Sequence, residues 1–241
     1  MLTNNSNAQE SSNLSLYSRQ SLLLVALCFV LSGATGLIYE VLWARMLGLV
    51  FGATTLAVST VLAAFMGGLA LGSALSGRKA ARLKGPLRSY GLIEIAIALY
   101  ALLVPLLFRL VDQAYVFIWQ QLHPGFYAFS LWRFLLSCAI LLVPTTLMGA
   151  TLPILSAALL RAPGFKSTSV ARLYTCNLGG AILGTIAAGF FLLPSLGLRR
   201  TIYVAAAINV LIGVVAVFVD RAAVAQVDNL RADEQIGRAH V

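Results

Sequence analysis

Charged residues are scarce in this sequence, where they make up 10% of 241 residues. Soluble domains carry about 25% charged residues, so the composition excludes an ordinary soluble domain for most of the chain. Apolar residues make up 60%, and the mean hydropathy is +0.90. Because runs of about 20 apolar residues, enough to cross a bilayer, recur along the chain, we predict an integral membrane protein.

Residues that hold metals or act as nucleophiles are equally few. The sequence has three cysteines and two histidines, without metal-ligand spacing. It has no Ser/His/Asp set, and every Gly-rich stretch lies inside an apolar run rather than between a strand and a helix. We therefore predict no catalytic domain, no cofactor and no metal site in this chain. The cysteines, all within apolar runs, are interpreted as small buried apolar residues.

The net charge of +9 is compatible with nucleic-acid binding, but the placement of the charges argues against it. Lys and Arg concentrate in two short connections, at 78–88 and 161–172, and the connection after residue 110 has few charges. Because positive connections face the cytoplasm, the pattern predicts a lipid bilayer as partner, no nucleic acid, and both termini in the cytoplasm. Arg199 and Arg200 are the exception, since they would face the other side.

Six apolar runs predict an all-α, polytopic membrane domain over residues 21–219. The predicted transmembrane helices cover 21–43, 54–77, 90–110, 129–152, 170–193 and 201–219. Residues 1–20 are polar and predict a disordered cytoplasmic tail. Residues 220–241 predict a cytoplasmic linker, and the hexapeptide at 236–241 resembles the translation of a sequencing adapter, which would mean that the gene was truncated.

Small residues recur every four positions in the second and fifth apolar runs, where they would share one helix face. Such faces allow close packing of helices in lipid. The helix-packing positions are Gly68, Gly72, Gly180 and Gly184. The shared Gly-Gly-x-x-x-Gly pattern, with Gly-Ala-Thr at 33–35 and 149–151, indicates two three-helix units in an inverted repeat. Generic close packing would give the same pattern without a repeat.

Charged and polar side chains inside the apolar runs are candidates for function, because they are costly at membrane depth. The candidate substrate-binding residues are Tyr39, Glu40, Glu94 and Asn177. Interhelical hydrogen bonding is the alternative for the polar members, and also for Asn209. Arg45 and Arg133 lie near the predicted ends of helices, so they are interpreted as structural charges that pair or extend toward the interface.

Prolines and aromatic residues predict two irregular regions. Pro144 and Pro153, with two threonines after the first, predict a broken fourth helix. The aromatic connection between the third and fourth runs predicts a short helix on the membrane surface, over about 110–122.

Two motifs are unusual in membrane helices: Leu-Ile-Tyr-Glu-Val-x-Trp-x-Arg at 37–45 and Leu-Pro-x-x-Gly-x-Arg-Arg at 193–200. With the Gly-rich runs, they resemble the membrane part of bacterial proteins that fuse a major-facilitator-like bundle to a spermidine-synthase-like domain. The resemblance covers about 22–219. It implies six helices resembling half a major-facilitator bundle, in the bacterial inner membrane. It also implies a following aminopropyltransferase-like domain, which this chain lacks, so no catalytic residue is carried over.

Three functions stay open from the sequence. In the first, the chain anchors the transferase domain and supplies or exports its polyamine-type substrates, with Glu40 and Glu94 facing the ammonium groups of a polyamine or another small cation. In the second, it is a free-standing half-transporter that acts as a homodimer. In the third, it is a pure membrane anchor, and the buried acids are structural.

Overall fold

The computed structural model describes residues 19–51, 55–122, 126–161 and 167–239. Over these residues the chain is helical and has no strand, which confirms the predicted all-α class. The helices are α1 (Arg19–Phe51), α2 (Thr55–Ala80), α3 (Pro86–Leu122), α4 (Phe126–Leu159), α5 (Ser167–Ile186) and α6 (Leu193–Ala239), with a π-helical segment (Ala187–Leu192) between α5 and α6. Of the tail predicted at 1–20, residues 1–18 lie outside the described residues, and Arg19 and Gln20 belong to α1 instead. The predicted linker is helical as far as Ala239.

Within the described residues, five helical segments are long and apolar enough to cross a membrane. Four of them each overlap one predicted transmembrane helix, and the fifth, Val170–Gln226, contains both the fifth and the sixth. This last segment is interrupted at Gly197, where φ is 74° and ψ is 173°. Glycine adopts this conformation without the steric penalty of a Cβ atom, so the backbone can change direction there.

The crossing of α1 and α5 depends on glycines on both helices. A Cβ atom at Gly180 would overlap the Val30 carbonyl, and one at Gly33 would overlap the Asn177 carbonyl. The Gly184 position lies in the same way against Ala34. Val30 meets Gly180 and Ala34, one turn later, meets Gly184, also one turn later, so the two helices run parallel.

The crossing of α2 and α4 is built in the same way. A Cβ atom at Gly72 would overlap the Thr146 carbonyl, one at Gly68 would overlap the Thr145 side chain, and one at Gly149 would overlap the Leu69 backbone. These helices also run parallel, because Gly68 meets Thr145, whereas Gly72, one turn later, also reaches the backbone nitrogen of Ala150.

The two crossings correspond residue by residue, with constant sequence spacing between α1 and α4 and between α2 and α5. The equivalent positions are Gly33 and Gly149, Val30 and Thr146, Asn177 and Leu69, and Gly180 and Gly72. The contacts therefore support two equivalent units, α1–α3 and α4–α6. The Gly-Ala-Thr match at 33–35 and 149–151 has the correct register. The Gly-rich match, which aligned Gly68 with Gly180, is wrong by one helical turn, since Gly72 is the equivalent of Gly180.

The direction of α6 follows from its contacts with α3. Phe29 and Ser32 of α1 meet Tyr90 and Glu94 of α3, so α1 and α3 run parallel. In contrast, α3 and α6 run antiparallel. Gly91 meets Gly213, whereas Glu94, which comes later on α3, meets Asn209, which comes earlier on α6. Hence α5 and the part of α6 after Gly197 run in opposite directions.

The predicted break in the fourth helix is wrong, because α4 continues through both prolines. Pro144 has no N–H to donate, which leaves the Ile140 carbonyl free. The Tyr100 hydroxyl donates to this carbonyl at 3.0 Å, and the Thr145 hydroxyl donates to the Leu141 carbonyl at 2.7 Å. A neighbouring helix thus satisfies the group that the proline releases, as is common in membrane bundles.

The predicted surface helix at 110–122 is also wrong as a separate element. α3 continues without interruption from Pro86 to Leu122. Residues 110–122 are therefore the last part of the third helix.

Candidate functional site

A buried carboxylate lies where α1, α3 and α6 meet. Glu94 is fully buried on α3, about 12 Å along the helix axis from Pro86 at a rise of about 1.5 Å per residue. The Ser32 hydroxyl of α1 donates to Glu94 Oε1 at 2.5 Å, and Asn209 Nδ2 of α6 donates to Glu94 Oε2 at 2.7 Å. One acidic side chain therefore joins three helices.

Two glycines bring α3 and α6 close enough for this contact. A Cβ atom at Gly91 would lie 2.6 Å from the Gly213 carbonyl oxygen, and one at Gly213 would lie 2.5 Å from the Gly91 oxygen. Glu94 follows Gly91 by about one turn, and Asn209 precedes Gly213 by one turn. Because the helices are antiparallel, the close approach of the glycines places these two polar side chains opposite each other.

The described groups around Glu94 are neutral. Besides Ser32 and Asn209, the Tyr90 hydroxyl faces the carboxylate from one turn earlier on α3, without a hydrogen bond of acceptable geometry. Among the described residues, no lysine or arginine acts on this carboxylate. An unpaired buried charge is very costly, so a cation beside this carboxylate would stabilise its ionised form.

Unused hydrogen-bonding capacity lies beside the carboxylate. Asn209 Oδ1 is buried and has no partner among the described residues, and the same holds for the Tyr90 hydroxyl. Buried polar atoms are almost always satisfied in folded proteins. The Glu94 oxygens and Asn209 Oδ1 are acceptors, and ammonium groups carry several N–H donors and no acceptor. We call Ser32, Tyr90, Glu94 and Asn209 the Glu94 cluster.

Tyr39 and Trp43 form a second buried group on α1. Both side chains are fully buried, and their rings stack with centroids 5.6 Å apart and an interplanar angle of 11°. The Tyr39 hydroxyl and Trp43 Nε1 have no partner among the described residues. Tyr39 is two turns from Ser32 and shares its helix face, so this aromatic pair continues the α1 face that carries the Glu94 cluster.

The other predicted site residues lie elsewhere. Glu40 is half-buried on α1, and the hydrogen bonds to Glu94 come from Ser32 and Asn209 rather than from Glu40. Asn177 Nδ2 donates to the Phe29 carbonyl at 2.8 Å, which is an interhelical bond between α5 and α1. Arg45 is exposed, and the side chain of Arg133 lies outside the described part of the structure. Of the four predicted binding residues, only Glu94 belongs to the cluster.

Sequence reasoning missed Ser32 and Tyr90. A signal for Tyr90 was its spacing of four from Glu94, which places the two side chains on one helix face. Ser32 had no such signal, because a serine in a membrane helix commonly bonds to its own backbone. Asn209 was noted as a polar residue, but nothing in the sequence paired it with α3.

Metal binding has no support in the part of the chain that the structure describes, where no group of three or more His, Cys, Asp and Glu side chains comes together. The cysteines are free: Cys28 is buried, Cys138 is half-buried and Cys176 is exposed.

No family model, curated protein or solved structure matches the chain. The resemblance to the fused spermidine-synthase-like proteins therefore stays a prediction that rests on the residues at 37–45 and 193–200.

Proposed function

We propose that this chain is a membrane-embedded bundle that binds a small organic cation at the Glu94 cluster and moves it through the membrane. The observation that carries the proposal is a fully buried carboxylate whose described neighbours are all neutral. Ionisable groups within membrane helices are rare and costly, and they commonly mark paths of ions or substrates.

The chemistry of the Glu94 cluster suits an amine. An ammonium group would neutralise the carboxylate and donate a further hydrogen bond to Asn209 Oδ1, which has no partner among the described residues. The stacked rings of Tyr39 and Trp43 offer a π face along the same side of α1, and such faces attract cations. A polyamine, whose amines are separated by methylene groups, would match both features.

Six membrane crossings form the topological part of the proposal. Support comes from the opposite directions of α5 and the later part of α6, and from the non-helical Gly197 between them. An even number of crossings places both termini on one side. The basic residues at 78–88 favour the cytoplasm for that side, and the resemblance favours the bacterial inner membrane.

The resemblance also suggests what the cation serves. In a spermidine-synthase-like fusion, the bundle would anchor an aminopropyltransferase domain and supply or export its polyamine-type substrates. This assignment rests on the motifs at 37–45 and 193–200, whereas cation binding rests on the Glu94 cluster.

Uptake of radiolabelled putrescine and spermidine into proteoliposomes tests the proposal. We expect Glu94→Gln to lower uptake at least about tenfold, because the amide cannot supply the charge that offsets desolvation of the cation. Glu40→Gln is the matched control, since it removes an acid outside the cluster and should leave uptake unchanged. Uptake by a folded Glu94→Gln variant at the wild-type rate would contradict the proposal.

A second candidate, the homodimeric half-transporter, is favoured by open glycine faces. Gly67 on α2 and Gly179 on α5 are exposed, and nothing lies within 4 Å of a Cβ built at either position. Small residues of this kind let a second bundle pack closely. Disulfide trapping of a Gly67→Cys variant as a dimer in membranes would favour this candidate. If the wild-type chain takes up no amine at all, the result would favour the pure membrane anchor over both transport functions.

A further inference from the structure

A second polar feature lies at the end of the bundle opposite the basic connection at 78–88. Arg109 of α3 and Arg199 of α6 line one surface pocket of about 300 Å³, together with Asp112. Both arginines also line an adjoining pocket of about 170 Å³. The side chains of both arginines and of Asp112 are exposed, so this pair of pockets opens to the surroundings of the protein.

The position of Arg109 along α3 places the pocket at the membrane interface. Arg109 lies about 35 Å along the helix axis from Pro86, at a rise of about 1.5 Å per residue. The hydrocarbon core of a bilayer is about 30 Å thick. If Pro86 lies at one boundary of the core, Arg109 therefore lies at the level of the lipid headgroups on the other side.

The backbone at Gly197 brings Arg199 to the same level. The positive φ of Gly197 interrupts the helical segment two residues before Arg199. The Thr201 hydroxyl, which is fully buried, donates to the Gly197 carbonyl at 2.8 Å and ties this turn to α6. The Arg199 side chain therefore extends from a fixed backbone position, and it lines the same two pockets as Arg109.

Below the arginines, the walls of the pocket are apolar. Phe108 and Ile202 are almost completely buried and form its floor. Leu102 and Leu106, exposed by 41% and 51%, extend the lining along α3 from Arg109 toward the middle of the helix. The cationic part therefore lies at the headgroup level, and the apolar part leads into the hydrocarbon region.

We infer that this pocket binds an anionic phospholipid, with its phosphate between Arg109 and Arg199 and an acyl chain along Leu102 and Leu106. Guanidinium groups bind phosphate through paired, charge-assisted hydrogen bonds. Two arginines and Asp112 give the pocket a net charge of one positive unit, which complements the single negative charge of phosphatidylglycerol. This site is separate from the Glu94 cluster and does not depend on the proposed transport.

Native mass spectrometry of the full chain in detergent, with equal amounts of phosphatidylglycerol and phosphatidylcholine, tests the site. We expect the wild type to retain phosphatidylglycerol preferentially. The Arg109→Gln/Arg199→Gln variant should lose this retention by roughly fivefold for each arginine. The Arg78→Gln/Arg82→Gln variant is the matched control, because it removes two exposed arginines from the other end of the bundle and should retain the lipid.

Three outcomes would overturn the inference. These are no preference for phosphatidylglycerol in the wild type, equal retention of this lipid in the Arg109→Gln/Arg199→Gln variant, or retention of water-soluble glycerol phosphate equal to that of the lipid. The last would identify a site for a free anion. If the double variant does not fold, Asp112→Asn decides. This change removes the acid from the pocket and should increase retention, so unchanged or reduced retention would refute the lipid site.

Discussion

The two three-helix units share their helix crossings but differ in polarity. Gly91 meets Gly213 and Val217, and Gly213 meets Gly91 and Ile95, so the contacts of α3 and α6 are also equivalent. By this register and that of the α1–α4 pair, the equivalents of Ser32, Tyr90, Glu94 and Asn209 are Met148, Ile212, Ala216 and Leu87. All four equivalents are apolar, and three of them are buried.

This difference separates packing from chemistry. The second unit packs the same crossings with apolar side chains, so the framework itself does not require a buried carboxylate. Replacing buried ionic groups by apolar ones is often neutral or stabilising. The Glu94 cluster is therefore a departure from the repeat, which is why we assign function to it rather than to the symmetric glycine crossings.

The largest effect is expected where the two units are most alike. Gly72→Leu and Gly180→Leu should each lower the free energy of unfolding by about 3 kcal/mol, because the new side chain would overlap the backbone of the opposite helix. Thermal unfolding in detergent measures the loss. Gly179→Leu is the control, since nothing lies within 4 Å of a Cβ atom there. Strongly unequal losses at Gly72 and Gly180 would argue against the equivalence of the units.

The next effect concerns the cluster itself. Glu94→Ala alone should lower the free energy of unfolding by about 2 kcal/mol, because the donors on Ser32 and Asn209 lose their acceptor. Adding Asn209→Leu gives both positions the apolar residues of their equivalents, Ala216 and Leu87. The double variant should recover most of the lost free energy of unfolding, while amine uptake stays absent. A double variant that is less stable than Glu94→Ala would show that the cluster is structural.

A smaller effect is expected near Pro144 of α4, whose equivalent in α1 is Cys28. Tyr100→Phe should cost about 1 kcal/mol, because it removes the donor to the Ile140 carbonyl. In a Pro144→Ala background, the restored N–H bonds this carbonyl, so the same change should cost almost nothing. Tyr203→Phe, an exposed tyrosine, is the control. An equal cost of Tyr100→Phe in both backgrounds would refute the account of how α4 tolerates its proline.

The smallest effect is expected at Asn177, whose equivalent is Leu69. Asn177→Leu removes the bond to the Phe29 carbonyl, but this carbonyl also accepts within its own helix, so the cost should be below about 1 kcal/mol. Amine uptake should not change. A tenfold loss of uptake in a stable variant would return Asn177 to the binding site.

Much of the helical framework could be predicted, because hydropathy adds up along each run and needs no knowledge of neighbours. The glycine faces of α2 and α5 could be predicted as well, since spacing of four defines a face. Their register could not, because consecutive turns of α2 both carry glycine and only the partner helix distinguishes Gly68 from Gly72. Likewise, the continuity of α4 depends on Tyr100, which the sequence does not connect with Pro144.

The sequence by itself determined that the chain forms helices long and apolar enough to cross a membrane, and that Glu94 is unusual, because a carboxylate is conspicuous in an apolar run. Only the tertiary structure decided that Ser32, Tyr90 and Asn209 surround it, and that Glu40 and Asn177 do not. Neighbours in a bundle are chosen by the crossing of distant helices, and here by the contact of Gly91 with Gly213. Glycine permits such an approach, but the sequence of one helix does not show which glycine of a distant helix it will meet.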